Sequence, residues 1–181
     1  ARPYAHPLIF LFMGGFLLAL SMERWGLGKR IALTVLFAVG SSPIRIVGGF
    51  MFTTALLSAF VSNTATTAMM LPIALSVIGL VRPSNDPSLT SKEIETNQQS
   101  ISNLSTCLML GIAYAGSIGG IATIIGSPPN SFLVSFLHDG IADPYRQDFS
   151  FVRWLAIGVP LSAVFLPIVL VLLTKVLFPI R

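Results

Sequence analysis

Three consecutive polar residues, Ser62-Asn63-Thr64, interrupt an apolar stretch running from about Ile46 to Val81. Their side chains offer hydroxyl and carboxamide oxygens and neutral donors, chemistry suited to holding an ion or a polar solute. The polar side chains gathered at the interruptions of the predicted membrane interior include Ser58, Ser62, Asn63, Thr64, Thr66, Thr67, Ser117, Thr123, Ser127 and Asn130, with no Asp, Glu, Lys, Arg or His among them. A proton relay needs titratable groups at depth, so this inventory argues against one. Neutral oxygens, together with backbone carbonyls freed at helix breaks, suit an alkali cation, and sodium is the natural choice. Half-helix N-termini would add N–H donors and partial positive charge for an anion. Without a buried Arg or Lys a doubly charged anion stays poorly compensated in low dielectric unless bound sodium supplies the positive charge. Enzymatic readings fare worse: GSPPN is no nucleophile elbow, and neither HExxH nor a paired carboxylate lies at membrane depth.

The elements that must position these residues follow from length. One straight helix over 46–81 would be about 54 Å long, well beyond a hydrocarbon core of about 30 Å. Folded back at Ser62-Asn63-Thr64, the stretch becomes a re-entrant hairpin, residues 46–82, with its polar tip near the bilayer midplane. Irregular backbone is tolerated there only where protein or a water-filled cavity satisfies it. One polar cluster could equally be satisfied inside ordinary membrane helices. A second interruption tips the balance: GSIGGIATIIGSPPNS, residues 116–131, breaks another apolar segment with glycines and two prolines. Paired interruptions of this kind point to the substrate and ion site of a secondary transporter.

Composition agrees. The 181 residues are 54% hydrophobic and 10% charged, with a mean hydropathy of +0.83, against about 25% charged in a soluble domain. This describes an all-α integral membrane protein. The basic residues flank apolar segments and form no patch with interleaved aromatics, which excludes nucleic acid as a partner. Cys107 is the single cysteine, so no intrachain disulfide is available.

In order, a first span is expected over 7–22 and an in-plane helix over 29–40, along the cytoplasmic interface and closed by Ser42-Pro43. Together they form a scaffold-side unit, residues 1–45. After the hairpin comes a polar cytoplasmic loop, 83–102. Residues 103–181 then hold a helix broken at the Gly/Pro cluster and a final span from about Leu155 to Phe178, with kinks expected at Pro160 and Pro167. This topology places eight of the eleven Lys and Arg residues inside, Arg45, Arg82 and Lys175 among them, and Arg2, Arg146 and Arg153 outside, in keeping with the positive-inside rule. The chain opens at ARPYAHP and stops at Arg181, and is expected to be a fragment.

Three stretches, IFLFMGGFLLALSMERWGLGKRIAL, LLSAFVSNTATTAMMLPI and GIAYAGSIGGIATIIGSPPN, resemble the divalent anion/sodium symporter family, carriers of succinate, citrate and related carboxylates. The resemblance implies sodium as the coupling ion, a di- or tricarboxylate substrate and a multi-pass plasma-membrane location, the inner membrane in a bacterium. It further implies a moving domain of hairpins and broken helices working against a homodimeric scaffold. By position, Ser58, Ser62 and Asn63 with the Gly126 carbonyl would ligate sodium, and Asn63 and Thr64 would face a substrate carboxylate. Thr123, Ser127 and Asn130 would support them. The family has two inverted repeats, whereas this chain carries a single Ser-Asn-Thr motif and resembles the first half. Competing expectations are a sulfate or other oxyanion carrier on a related scaffold, or a non-transporting membrane scaffold subunit.

Overall fold

The computed structural model describes residues 10, 13–14, 17, 20–22, 24–40, 42–80, 91–142, 144–145 and 149–180. Most of the expected first span, and Arg82, lie outside the described residues. The helices are α1 (Leu27–Val39), α2 (Pro43–Ser58), α3 (Asn63–Leu80), α4 (Ser91–Ile121), α5 (Pro128–Ser135) and α6 (Phe151–Val171). The last turns of α5 and α6 widen into π-helical turns at Phe136–Gly140 and Leu172–Leu177. Among the described residues every regular element is helical.

Local chemistry sets the boundaries. Gly40, at φ +78, closes α1 in a conformation that favours glycine. Ser42 is extended and Pro43 occupies the first turn of α2, where its missing N–H leaves no bond unmade. Ser42-Pro43 therefore begins one helix as well as ending another. The same device recurs at α5, where extended Ser127 precedes Pro128-Pro129. These prolines, read from sequence as breakers, start the second half-helix. Gly119-Gly120 stay inside α4, and the break itself spans 122–127. Of the expected loop over 83–102, residues 91–102 are helical, because α4 already begins at Ser91, and residues 83–90 lie outside the described residues; Lys92, Glu93, Glu95, Gln98 and Gln99 are strong helix formers. The helix of α6 runs unbroken through Pro160 and Pro167.

Packing fixes directions. A β-carbon on Gly111 would meet Met51 and Val47, and one on Gly119 would meet the backbone of Ala55, so α2 and α4 run parallel. Asn63 lies against Gly120 and Thr67 against Gly116, so α3 returns antiparallel to both. Hence α2 and α3 form a helical hairpin, with residues 59–62 as its tip. On the other side of α4, bonds from Trp154 to Ile121, Ser162 to Ile118 and Cys107 to Leu173 make α6 antiparallel to α4. The core lies between α2, α3 and α4, with Val47, Phe50, Met51, Leu57, Met70, Ala74, Cys107, Leu108 and Ile112 all buried.

The in-plane placement expected for the helix after Lys29 is not what the packing produces. Gly28 sits against Leu57 and Met69, near the hairpin tip, while Gly40 precedes Pro43 at the opposite end. Helix α1 therefore runs alongside α2, and its partly buried Ile31 joins the core periphery. Leu57 and Met69 near the hairpin tip give the start of α1 an apolar wall, while its Leu33 and Phe37 stay exposed.

Among the described residues two stretches, Glu95–Ile121 and Phe151–Leu177, are long and apolar enough to cross a membrane. The outward face of α6, including Val152, Ile157, Val164 and Ile168, is exposed and apolar, a surface suited to lipid.

The backbone-to-backbone contact at Gly119 leaves no flexible neighbour to yield. Gly119→Ala should therefore cost about 1–3 kcal/mol and lower the melting temperature in detergent. Gly79→Ala, at a helix position with open space around it, should leave melting unchanged or raise it.

Candidate functional site

The tip of the hairpin and the break after α4 meet side by side. Ser58, in the last turn of α2, is fully buried. Its hydroxyl lies 2.6 Å from Asn63 Oδ1 and 2.7 Å from the Gly116 carbonyl oxygen of α4. One hydroxyl hydrogen faces two acceptors, so three oxygens crowd together with a single proton among them. Such a cluster is short of positive charge.

Gly126 closes this pocket from the break. A β-carbon there would stand 2.7 Å from the Gly120 carbonyl oxygen and 3.0 Å from those of Ser58 and Ala59, so only glycine fits. The Gly126 N–H donates to Thr123 Oγ1 at 3.0 Å, and the Thr123 hydroxyl donates a short bond across to the Ala59 carbonyl. Thr123 thus latches break to tip and is itself buried. Asn130 reaches back from α5, its amide donating to the carbonyls of Gly120 at 2.7 Å and Thr123 at 2.9 Å. Ser131 donates to the Ile124 carbonyl at 2.8 Å.

Ser62 and Thr64 lie toward the mouth. Ser62 Oγ accepts from the Ala65 amide at 3.3 Å, capping α3, and Thr64 is exposed. Ser127 is extended with no side-chain capping bond. The hydroxyl of Thr67 donates within its own helix, to the carbonyls of Asn63 and Thr64. Of the residues expected to form the site, Ser58, Asn63, Thr123, Gly126 and Asn130 converge, while Ser62, Thr64 and Ser127 line its approaches.

Helix ends polarise the pocket. The C-termini of α2 and α4 both arrive at it, bringing partial negative charge, while α3 begins there with its partial positive end at Asn63 and Thr64. The start of α5 cannot act in the same way, since Pro128 and Pro129 have no N–H and that of Asn130 donates to the Ser127 carbonyl. The arrangement therefore has a cation-favouring pole at Ser58, Gly116 and Gly126 and an anion-favouring pole at Asn63 and Thr64. Asn63 belongs to both.

Sequence reasoning missed the groups that act through backbone. The Gly116 carbonyl leaves no trace in residue type. Trp154 Nε1 donates to the Ile121 carbonyl at 2.9 Å, and Ser162 Oγ to that of Ile118 at 2.8 Å. The signal available was their spacing with Gly158, one small or polar-tipped residue every fourth position in an apolar helix. Beside them an apolar cleft of about 420 Å³ opens between α2 and α6, walled by Phe52, Leu56, Val159 and Leu166 and floored by Ala59, Ala122 and Thr123.

A helical membrane protein whose uncharged polar pocket is assembled at two interrupted helices has the form of a secondary transporter. The comparisons agree and carry this further. The chain belongs to the citrate transporter family, whose model matches residues 1–180, a family of multi-pass plasma-membrane transporters and not of enzymes. It is 41% identical over 175 residues to the sodium-dependent dicarboxylate transporter SdcS of Staphylococcus aureus strains NCTC 8325, COL and N315. The alignment takes in 97% of this chain and 32% of the relative, so the chain spans about a third of the length of the curated relatives it matches.

Because Asn130 satisfies two carbonyls at once, Asn130→Ala should cost about 1–3 kcal/mol through groups left unpaired. Amide exchange over residues 121–127 should rise correspondingly, with that of α2 little changed.

Proposed function

We propose that this chain supplies one sodium site and half of the carboxylate site of a sodium-coupled di- or tricarboxylate carrier. The observation that carries the reading is the proton-poor oxygen cluster of Ser58, Asn63 and Gly116, closed by Gly126 and facing two helix C-termini. A sodium ion relieves that crowding by accepting all three oxygens as ligands, with carbonyls of the break completing its shell. Its charge then holds a carboxylate at Asn63 and Thr64, where the N-terminal amides of α3 add donors. Neither ion is well compensated alone, which couples their binding. The identity of the relatives, sodium-dependent dicarboxylate transporters, supports both the cation and the substrate class. Ser62 serves from the lip, and Ser127 supports the approach.

Depth supports the same reading. From Trp154 to Lys175 along α6 is about 32 Å, one hydrocarbon thickness. Ser162 is level with Ile118 and Leu173 with Cys107, so Gly116 lies about 15 Å from either end by helical rise. That depth suits a site at the bilayer midplane. Gly48 packs on Leu170, so Arg45 lies toward the Lys175 end, which supports a hairpin re-entrant from that side. The remaining parts of the reading are a homodimeric scaffold to which residues 1–45 contribute, a second inverted repeat that completes the substrate shell, and a moving unit built from 46–82 and 103–181.

Uptake of labelled succinate into vesicles should collapse when external sodium is replaced by potassium; uptake indifferent to sodium would end the reading. Ser58→Ala should raise the half-saturating sodium concentration about tenfold or more, one charge-assisted contact being worth about 1.5–3 kcal/mol. Thr64→Ala should instead raise the succinate KM. Competition by sulfate as strong as that by succinate would favour an oxyanion carrier. Single cysteines at Arg45 and Lys175 should react with an impermeant label from one face only, and one at Arg153 from the other.

A further inference from the structure

Three positions on one face of α6, Trp154, Gly158 and Ser162, follow each other at helical spacing, and all three address the broken end of α4. The Trp154 indole and the Ser162 hydroxyl bond the carbonyls of Ile121 and Ile118. Between them Gly158 is buried, and a β-carbon on it would stand 2.7 Å from the Ile121 carbonyl oxygen and 2.8 Å from that of Ala122. These are carbonyls that the end of α4 leaves without helical partners. An interfacial tryptophan ordinarily turns its N–H toward water or headgroups. Here it turns inward to a helix end. Ile118 is two residues from Gly116 and two from Gly120, so the stripe grips the same turn that presents an oxygen to Ser58 and a wall to Asn63.

We propose that Trp154, Gly158 and Ser162 form a positioning clamp that sets cation affinity without touching the cation. The proposal rests on the sodium-coupled reading above. By holding the Ile118 and Ile121 carbonyls, α6 fixes the last turn of α4 and the following break against the hairpin tip, and so fixes the spacing of the oxygen cluster. Coordination by neutral oxygens weakens when their geometry is allowed to relax, whereas the carboxylate pole at Asn63 and Thr64 belongs to α3 and is not gripped. The clamp also withholds two carbonyls from the cation, which confines ligation to the hairpin side of the break.

The test uses the native carrier and three minimal changes. Trp154→Phe removes only the N–H, Ser162→Ala only the hydroxyl, and Gly158→Ala inserts one methyl group. Trp154→Phe and Ser162→Ala should each raise the half-saturating sodium concentration about three- to tenfold, the loss of one hydrogen bond of typical worth, and Gly158→Ala should raise it as well by pushing the gripped carbonyls away, while the succinate KM at saturating sodium stays within twofold of wild type in all three. Ser162→Thr, which keeps the hydroxyl, should restore the wild-type sodium value. Amide exchange over residues 118–127 should quicken in all three variants. A fall in maximal rate or yield with unchanged sodium dependence would overturn the clamp, as would unchanged exchange. If wild-type uptake ignores sodium, the sodium-coupled reading fails, and the exchange measurement still decides whether the stripe holds the helix end.

Discussion

Wherever a helix stops inside an apolar protein, the backbone groups it releases must find partners within that protein, and this requirement shapes the molecule at two adjacent places. At the end of α4 the carbonyls of Ile118, Gly120, Ile121, Thr123 and Ile124 are taken up by Ser162, Asn130, Trp154 and Ser131, and the Gly119 carbonyl accepts from the Ala122 amide. At the end of α2 the Ala59 carbonyl receives Thr123. Thr123, Asn130, Ser131, Trp154 and Ser162 are thus placed where backbone would go unsatisfied, and the site is assembled from what they hold in position.

That origin explains how a site for charged solutes can lack charged side chains. Fixed charges in low dielectric are costly unless paired at all times, and a carrier's pocket would face them unpaired during part of its cycle. Helix ends and neutral oxygens give weaker fields but need no partner when nothing is bound. Opposite poles brought within one asparagine of each other let two ions compensate one another, with Gly116, Gly119, Gly120 and Gly126 permitting the close backbone approach. Each of these glycines faces a neighbour that a methyl group would strike.

Much of this was legible in the residue order because polarity inside an apolar run has few explanations. The hairpin tip at Ser62-Asn63-Thr64 and the break after Ile121 both stood out for that reason, and Ser58 lies about one turn from the tip. Gly126 and Asn130 were marked through resemblance. What stayed hidden has two physical sources. Backbone acceptors such as the Gly116 and Ile121 carbonyls leave no trace in residue type, so nothing in the sequence marked Trp154 and Ser162 as partners of a helix end. Tertiary packing also overrides local cues: α1, with Lys29 and Arg30 at its start, lies along the hairpin, and the polar residues after Ser91 continue a helix that length alone assigned to a loop. Pro43, Pro128 and Pro129 show the ambiguity of proline, which ends one helix and opens the next.

The mouth of the pocket differs from its interior in how freely it can vary. Ser58, Thr123 and Gly126 are enclosed, so almost any replacement there disturbs packing and cation contacts together. Thr64 and Ala65 lie exposed at the start of α3, and exchanging them disturbs little else. On the proposed reading, a lineage built on this frame can therefore drift among acids of different size and shape through changes at the rim, while its dependence on the driving ion stays locked in the floor.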